Sequence, residues 1–441
     1  MLPSFDMSTS WDDFVENLSD NLPISADITV TVGSGGDYPT INAALEALSR
    51  KYPLYKKSGH TVEVKLLSGF VMQEQVFVVG LDLGWITITS EAAEVTISRE
   101  ALTEIEPSGR TVGHQWGGRP AFSVFNGTLP VIDVLFNMDT SGPDPVELNA
   151  GQHGIHVASS SRAYIKPGAG IKNCTGRALF VVQSTVDARD TIWDNAVNVG
   201  VYATDGALVS VRFASAKDSD DVGIYANNCA TIDAQGADAS GADRNGFYAN
   251  TCSMLDAREA NAENCGYNGV RAIRNSLINC DETNVSGSEY GIYARTSSTI
   301  NAREALANNC TATGVFAEEA ATINASNATV NGSGVDGIFA QTGSYINANS
   351  VTCEGSGNVN IYARGGSRIN AELAQAKNAV VDGMLALDGS CINARSSNTT
   401  GAGTNGYRVN WGGIISAQGA TGTVAQTVNT IAATGIIFQS T

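Results

Sequence analysis

Three glutamates, Glu259, Glu282 and Glu304, fall at the same place in successive repeats of this chain. If the repeats stack as strands do, about 4.7–4.9 Å apart, neighbouring carboxyls stand about 5 Å apart and the outer two about 10 Å. Carboxyl pairs about 5–5.5 Å apart suit hydrolysis of a glycosidic bond with retention, and about 6.5–9.5 Å suits inversion. Stacked like charges repel, which can raise one pKa as a general acid requires. Arg258 and Arg303 precede two of the three, so a solvated edge of ion pairs is the competing reading, and the sequence favours it. Asp218, Asp220 and Asp221 form a second acidic cluster, in a turn, where solvation is again preferred over cation binding.

A second set is aromatic. Tyr202, Tyr225, Tyr248, Tyr293, Phe316, Phe339 and Tyr362 share one repeat position, with Arg271, Arg295, Arg364 and Arg408 on or beside the same segments. A soluble monomer rarely exposes so many aromatics in line. Rods packing side by side as a trimer would bury them, and this use is preferred. Sugar rings stacking on them, or an inverted facing with the rings in the core, are the alternatives.

What must position these residues is a repeat of 23 residues. Gly-Val-Tyr-Ala begins at Gly200, Gly-Ile-Tyr-Ala at Gly223 and Gly-Phe-Tyr-Ala at Gly246, and the series continues through Gly269, Gly291, Gly314, Gly337, Asn360, Gly383 and Gly406. A weaker register runs back through Arg177 to Gly154, giving twelve turns. Counting the Gly as zero, position 1 is apolar and position 3 is Ala, so both face one side of a strand while position 2 faces the other. A second short strand at positions 9–11 carries Asp233, Asp256, Asn279, Asn301, Asn324, Asn347, Asn370 and Asn393 in one column. Stacked amides can bond to each other and to the turn backbone. No turn holds an amphipathic run of helical length, which excludes helical solenoids, and Leu is too scarce at the repeat positions for leucine-rich repeats. The expectation is an all-β chain folded as a right-handed parallel β-helix of about 23 residues per turn.

Composition agrees with one elongated unit: 47 Gly and only 10 Pro among 441 residues suit tight solenoid turns. A formal net charge of −18 argues against nucleic acid as a partner and makes a strongly anionic glycan a less natural ligand, unless a local basic patch overrides the average. No signal peptide of the Sec type and no apolar run of transmembrane length is visible, so no membrane insertion is expected. The eight Cys lack metal-ligand spacing and read as small core fillers of a protein made in a reducing cytoplasm. Neither a metal nor another cofactor is expected, although His153 and His156 lie three apart.

The N-terminal third differs. Residues 9–22 predict a short helix with Trp11, Phe14, Val15 and Leu18 on one side, and residues 1–27 are expected to form an attachment segment. Ile28–Val32 predicts a strand. Ile41, Ala44, Leu45 and Leu48 predict the face of a helix that plugs the open end of the rod, with Pro39 in its first turn. Strands are expected at Thr61–Leu67, Gln75–Val79, Trp85–Thr89, Val95–Ser98, Ala121–Phe125 and Val131–Phe136, with protruding loops near 99–120 and 137–152. The first loop carries Arg110, His114, Trp116 and Arg119. The expected organisation is thus 1–27 for attachment, 28–153 for the cap and irregular first turns, 154–411 for the regular β-helix and 412–441 for closing strands.

The start Val30-Thr-Val-Gly-Ser-Gly-Gly-Asp-Tyr-Pro-Thr-Ile-Asn-Ala-Ala-Leu45, followed by an irregular β-rich stretch and a Gly-Ile-Tyr-Ala ladder, resembles bacteriophage tailspike-type proteins of the pectate-lyase-like β-helix superfamily. That resemblance implies a homotrimeric spike or fibre on a phage, or on a phage-like particle such as a gene transfer agent. Such a spike binds host capsule or lipopolysaccharide, is held by a structural protein of the particle through residues 1–27, and in many cases cleaves the glycan. A purely structural fibre is a further alternative. The opening also resembles pectin methylesterases, but the later catalytic motifs of that family have no match, and Gly118-Arg-Pro120 comes too early and lacks the Trp.

Overall fold

Side chains at positions 1 and 3 are sealed from solvent: Val201 with Ala203, Ile224 with Ala226 and Phe247 with Ala249 are all 0% exposed. The rings between them therefore face outward, and the inverted arrangement is ruled out. The computed structural model describes residues 24, 26–51, 59–102, 118–139, 151–422 and 435–438. These form a parallel β-helix, as the repeat predicts.

One long sheet holds fourteen parallel strands, from Val76–Val79 through Phe122–Phe125, Ile155–Ala158 and Leu179–Val182 to Asn405–Val409. A second holds thirteen, from Arg162–Tyr164 to Ile436–Phe438. The third side is a column of single bridges running from Gly170 through Ile192, Ser215 and Asp238 to Thr421. Inter-strand steps of about 4.7–4.9 Å make the long sheet roughly 60 Å from end to end. The rod is longer than the twelve expected turns because Val76–Val79 and Phe122–Phe125, in the irregular third, join the same ladder.

The register of the early turns departs from the expectation by one residue. Leu179 pairs with both Ile155 and Val201, which makes Ala178, not Arg177, the equivalent of the repeat Gly. The expected strand Val131–Phe136 is two strands, Val131–Ile132 and Leu135–Met138, which pair in different four-stranded sheets. The chain turns a corner at Asp133, whose carboxylate meets Lys166 Nζ at 2.8 Å.

The repeat Gly is required by close approach. A Cβ on Gly246 would lie 2.5 Å from Ala262 Cβ and 2.8 Å from the Gly269 carbonyl oxygen, so no side chain fits without displacing backbone. From Gly200 onward Asn360 is the exception, and its buried amide accepts from Ser356 N–H and donates to the Lys377 carbonyl. The Asn column forms as expected. Asn347 Nδ2 donates to Asn324 Oδ1 at 3.0 Å, Asn370 to Asn347 at 3.1 Å and Asn393 to Asn370 at 2.9 Å.

The helix α1, Ile41–Ser49, closes the N-terminal end with Ile41, Ala44, Leu45 and Leu48 buried. Its N-cap is Thr40, which accepts from Ala43 N–H, so Pro39 stands just ahead of the helix rather than in its first turn. The free N–H groups of Ile41 and Asn42 are taken by Glu74, at 2.6 and 3.0 Å, where a carboxylate also suits the positive end of the helix dipole. The predicted helix over 9–22, nearly all of segment 1–27, and Arg110, His114 and Trp116 lie outside the described residues.

Of the eight Cys, Cys174, Cys265, Cys280, Cys310 and Cys353 fill the core. Cys229 and Cys252 do not: both are exposed at a corner with φ of 63° and 59°. Their alignment in adjacent turns reflects the corner, not a packing position.

Candidate functional site

The outer face of the fourteen-strand sheet carries one column of side chains along its length. Pairing places Phe77, Ser123, His156, Phe180, Tyr202, Tyr225, Tyr248, Arg271, Tyr293, Phe316, Phe339, Tyr362, Leu385 and Arg408 in register. All seven aromatics singled out from sequence, with Arg271, belong to it. Phe180, His156 and Phe77 extend it toward the N-terminus; the one-residue slip at Ala178 hid Phe180, and Phe77 precedes the regular repeats. Arg295 ends its strand two residues beyond Tyr293, and Arg364 just follows its strand two residues beyond Tyr362; both are exposed.

The rings lie against each other along the rod. Tyr225 and Tyr248 have centroids 4.4 Å apart and planes 8° apart, Tyr293 and Phe316 5.2 Å and 19°, and Phe339 and Tyr362 4.6 Å and 10°. Each ring covers its neighbour, so Tyr293 is only 7% exposed and the others are half-buried. What solvent meets is a strip of ring edges and hydroxyls. The column therefore buries much of its own apolar surface without a partner chain, and few ring faces remain for a sugar to stack on.

Polar groups frame the strip. Asn227 Nδ2 donates to the Tyr202 hydroxyl at 3.0 Å and Asn250 Nδ2 to that of Tyr225 at 3.2 Å. The Tyr293 hydroxyl donates to Glu318, which also accepts from Gln341 at 2.8 Å. Burial pushes the Tyr225 and Tyr293 hydroxyls well above the usual phenol range, so both remain neutral donors.

Toward the N-terminus, the imidazole of His156 stacks on Phe180 at 4.7 Å, and Arg177 places its guanidinium 4.5 Å above Phe180 and 4.7 Å above Tyr202. Burial, followed by repulsion from Arg177, brings the His156 pKa down to about 3. Among the described residues no group of three His, Cys, Asp or Glu is placed to hold a metal ion.

Glu259, Glu282 and Glu304 lie elsewhere. They stand exposed on a corner after the thirteen-strand sheet, with φ of 57°, 59° and 59°. Phe213, Asn327, Leu373 and Ser396 have the same left-handed backbone at the equivalent place in other turns, so the corner imposes the conformation whatever the residue. Arg258 and Arg303 pair with Asp256 at 2.7 Å and Asp281 at 2.5 Å rather than with these glutamates. A cavity of about 300 Å³ opens at the N-terminal end of the rod, between α1 and Val76–Val78.

No family model matches the sequence, and no curated protein matches it. Solved structures do. The periplasmic alginate epimerase AlgG superposes with a TM-score of 0.51 at 12% identity, covering 81% of this chain and 88% of its own. The catalytic domain of a GH87 alpha-1,3-glucanase reaches 0.41 at 10% identity, with 88% and 69% covered. The receptor binding domain of the siphovirus 9NA tailspike reaches 0.36 at 11%, with 94% and 76% covered. The likeness is one of fold. The parallel β-helix expected from the sequence is the fold the chain has.

Proposed function

We propose that the protein is a receptor-binding spike of a phage or phage-like particle, which grips host surface polysaccharide along the outer face of its fourteen-strand sheet. The carrying observation is the column from Phe180 to Tyr362, which sets one outward aromatic or arginine at every inter-strand step of about 4.8 Å, with amides bonded to the hydroxyls of Tyr202 and Tyr225. A linear polymer with many hydroxyls is matched by a linear array of donors and acceptors on a rigid scaffold. The sequence resemblance to tailspike-type proteins points the same way.

The spike is a homotrimer in this reading, and its chains meet through the thirteen-strand sheet. That sheet leaves Leu208 at 53%, Met254 at 50% and Tyr345 at 41% exposure in one column, whereas the aromatic column covers itself. Residues 1–27 attach it to a structural protein of the particle surface. An array of bacterial capsules and lipopolysaccharides probed with the pure protein tests the assignment. Specific retention of one glycan class is expected, and no retention of any would sink it.

Depolymerase activity is the second reading, favoured by one observation: three consecutive turns present a glutamate at the same corner. Release of new reducing ends or of unsaturated uronate absorbance from the bound glycan decides it. Activity that survives in the triple Gln variant at 259, 282 and 304 would remove these residues from the chemistry.

A further inference from the structure

The four arginines on or beside the aromatic column differ in what neutralises them. Arg295 meets Glu318 at 3.3 Å and Glu319 at 2.5 Å, Arg364 meets Asp388 at 3.4 Å, and Arg408 meets Asp382 at 3.3 Å. Arg271 has no carboxylate within ion-pair distance among the described residues, and its buried Nε has no hydrogen-bond partner. Its guanidinium interrupts the ladder, 5.0 Å from the Tyr248 ring centre and 5.7 Å from that of Tyr293. A half-buried cation held only by ring faces retains donors that a planar anion can take.

The surroundings add positive charge in a chain whose formal net charge is −18. Arg274 donates to Asn250 at 3.2 Å, and Arg244 pairs with Asp221 at 3.1 Å. Burial raises the Tyr248 hydroxyl pKa, and the positive charges of Arg271, Arg274 and Arg244 oppose that rise. Arg177, also without a carboxylate partner among the described residues, lies over Phe180 and Tyr202. From Phe180 to Arg271 is four inter-strand steps, about 19 Å. Two cations lacking acid partners thus bracket Tyr202, Tyr225 and Tyr248.

We propose that Arg271 anchors a carboxylate-bearing sugar, so that the glycan taken by this face is acidic, with a uronate or another carboxylated sugar at Arg271. This rests on the polysaccharide reading above and names its chemical class. Tyr248 and Tyr293 hold the guanidinium plane, and a fixed planar fork accepts a carboxylate through two parallel hydrogen bonds. The hydroxyls and amides along the strip meet the neutral sugar hydroxyls. A polymer with regularly placed carboxylates reaches Arg177 as well.

The test uses a hexameric polyuronate and the same oligomer with its carboxylates reduced to alcohols. Each is titrated calorimetrically into the full chain and into Arg271→Gln and Arg271→Lys, with circular dichroism checking the fold of each. The unsubstituted chain is expected to prefer the polyuronate. That preference should fall about ten- to hundredfold in Arg271→Gln, with partial recovery in Arg271→Lys and no change for the reduced oligomer. Added salt should weaken binding of the polyuronate alone. Equal binding of both oligomers by the unsubstituted chain, or an undiminished preference in Arg271→Gln, overturns the assignment. If neither oligomer binds while an intact neutral surface polysaccharide does, this inference fails and the spike reading stands; if no glycan binds at all, both fail. If Arg271→Gln changes the oligomeric state and leaves glycan binding unchanged, the guanidinium serves an acid of a second copy, which also overturns the proposal. Should Arg271→Gln fold poorly, an undiminished preference in Arg271→Lys is the overturning result.

Discussion

Phe316 and Phe339 lie face to face, their centroids 5.1 Å apart and their planes 1° apart. Because parallel pairing puts equivalent side chains directly above each other, each ring meets its counterpart in the next turn before it can meet a ligand or another chain. The ladder is therefore first a source of stability and presents its edges to whatever binds.

Changing Tyr293, Phe316 and Phe339 together to Ser should leave the β-rich circular dichroism spectrum in place but lower the thermal midpoint. Each stacked pair contributes about 0.5–1.5 kcal/mol beyond its buried area, and several are lost together. Glycan retention should disappear in the same variant. A midpoint equal to that of the unsubstituted chain would show that the rings do not support one another.

Met254→Glu with Leu208→Glu places charges on the exposed column of the thirteen-strand sheet, away from the aromatic face. Light scattering should report a monomer in place of a trimer, with glycan binding per chain retained. A trimer that survives both substitutions is not assembled through this column.

His156 gives the rod an acid-sensitive joint. Its pKa is about 3 when folded against 6.5 ordinarily, because burial beside Phe180 and Arg177 excludes the charged form. Below pH 6.5 the unfolded chain takes up a proton that the folded one refuses, so stability falls as pH drops from 6.5 toward 3. The deficit at pH 4 is on the order of a few kcal/mol. His156→Phe should flatten this part of the pH dependence of thermal unfolding, and an unchanged slope would show that the imidazole is not the responsible group.

Asn347→Ala removes one rung of the amide ladder, taking the Asn347 donor from Asn324 Oδ1, which keeps the Ser326 hydroxyl at 3.0 Å, and the acceptor from Asn370 Nδ2. With hydrogen bonds worth about 0.5–1.5 kcal/mol each, the loss should be about 1–3 kcal/mol in denaturant unfolding. Asn347→Asp should cost less, since it can still accept from Asn370.

A thiol reagent applied to the folded protein should modify Cys229 and Cys252 quickly and half-buried Cys391 slowly. Cys174, Cys280 and Cys353 should react only after unfolding, because burial raises their thiol pKa values far above the ordinary range as well as blocking access. Protection of Cys229 in the intact particle would place that corner in a contact.

The sequence by itself determined the solenoid, its period, the inward Val/Ile and Ala positions, the Asn column and the apolar face of α1. These follow from local alternation and from identical turns stacking in register, so a spacing of 23 residues is a tertiary contact written in one dimension. It did not reveal the slip to Ala178, because a 24-residue turn followed by a 22-residue turn restores the register by Gly200. The split at Asp133 was also hidden, since a corner interrupts pairing without interrupting apolar character. The state of the rings and of the arginines was decided only by the tertiary structure. Whether Phe316 shows its face or its edge depends on the ring next to it, and whether Arg271 has an acid beside it depends on side chains a whole turn away in sequence.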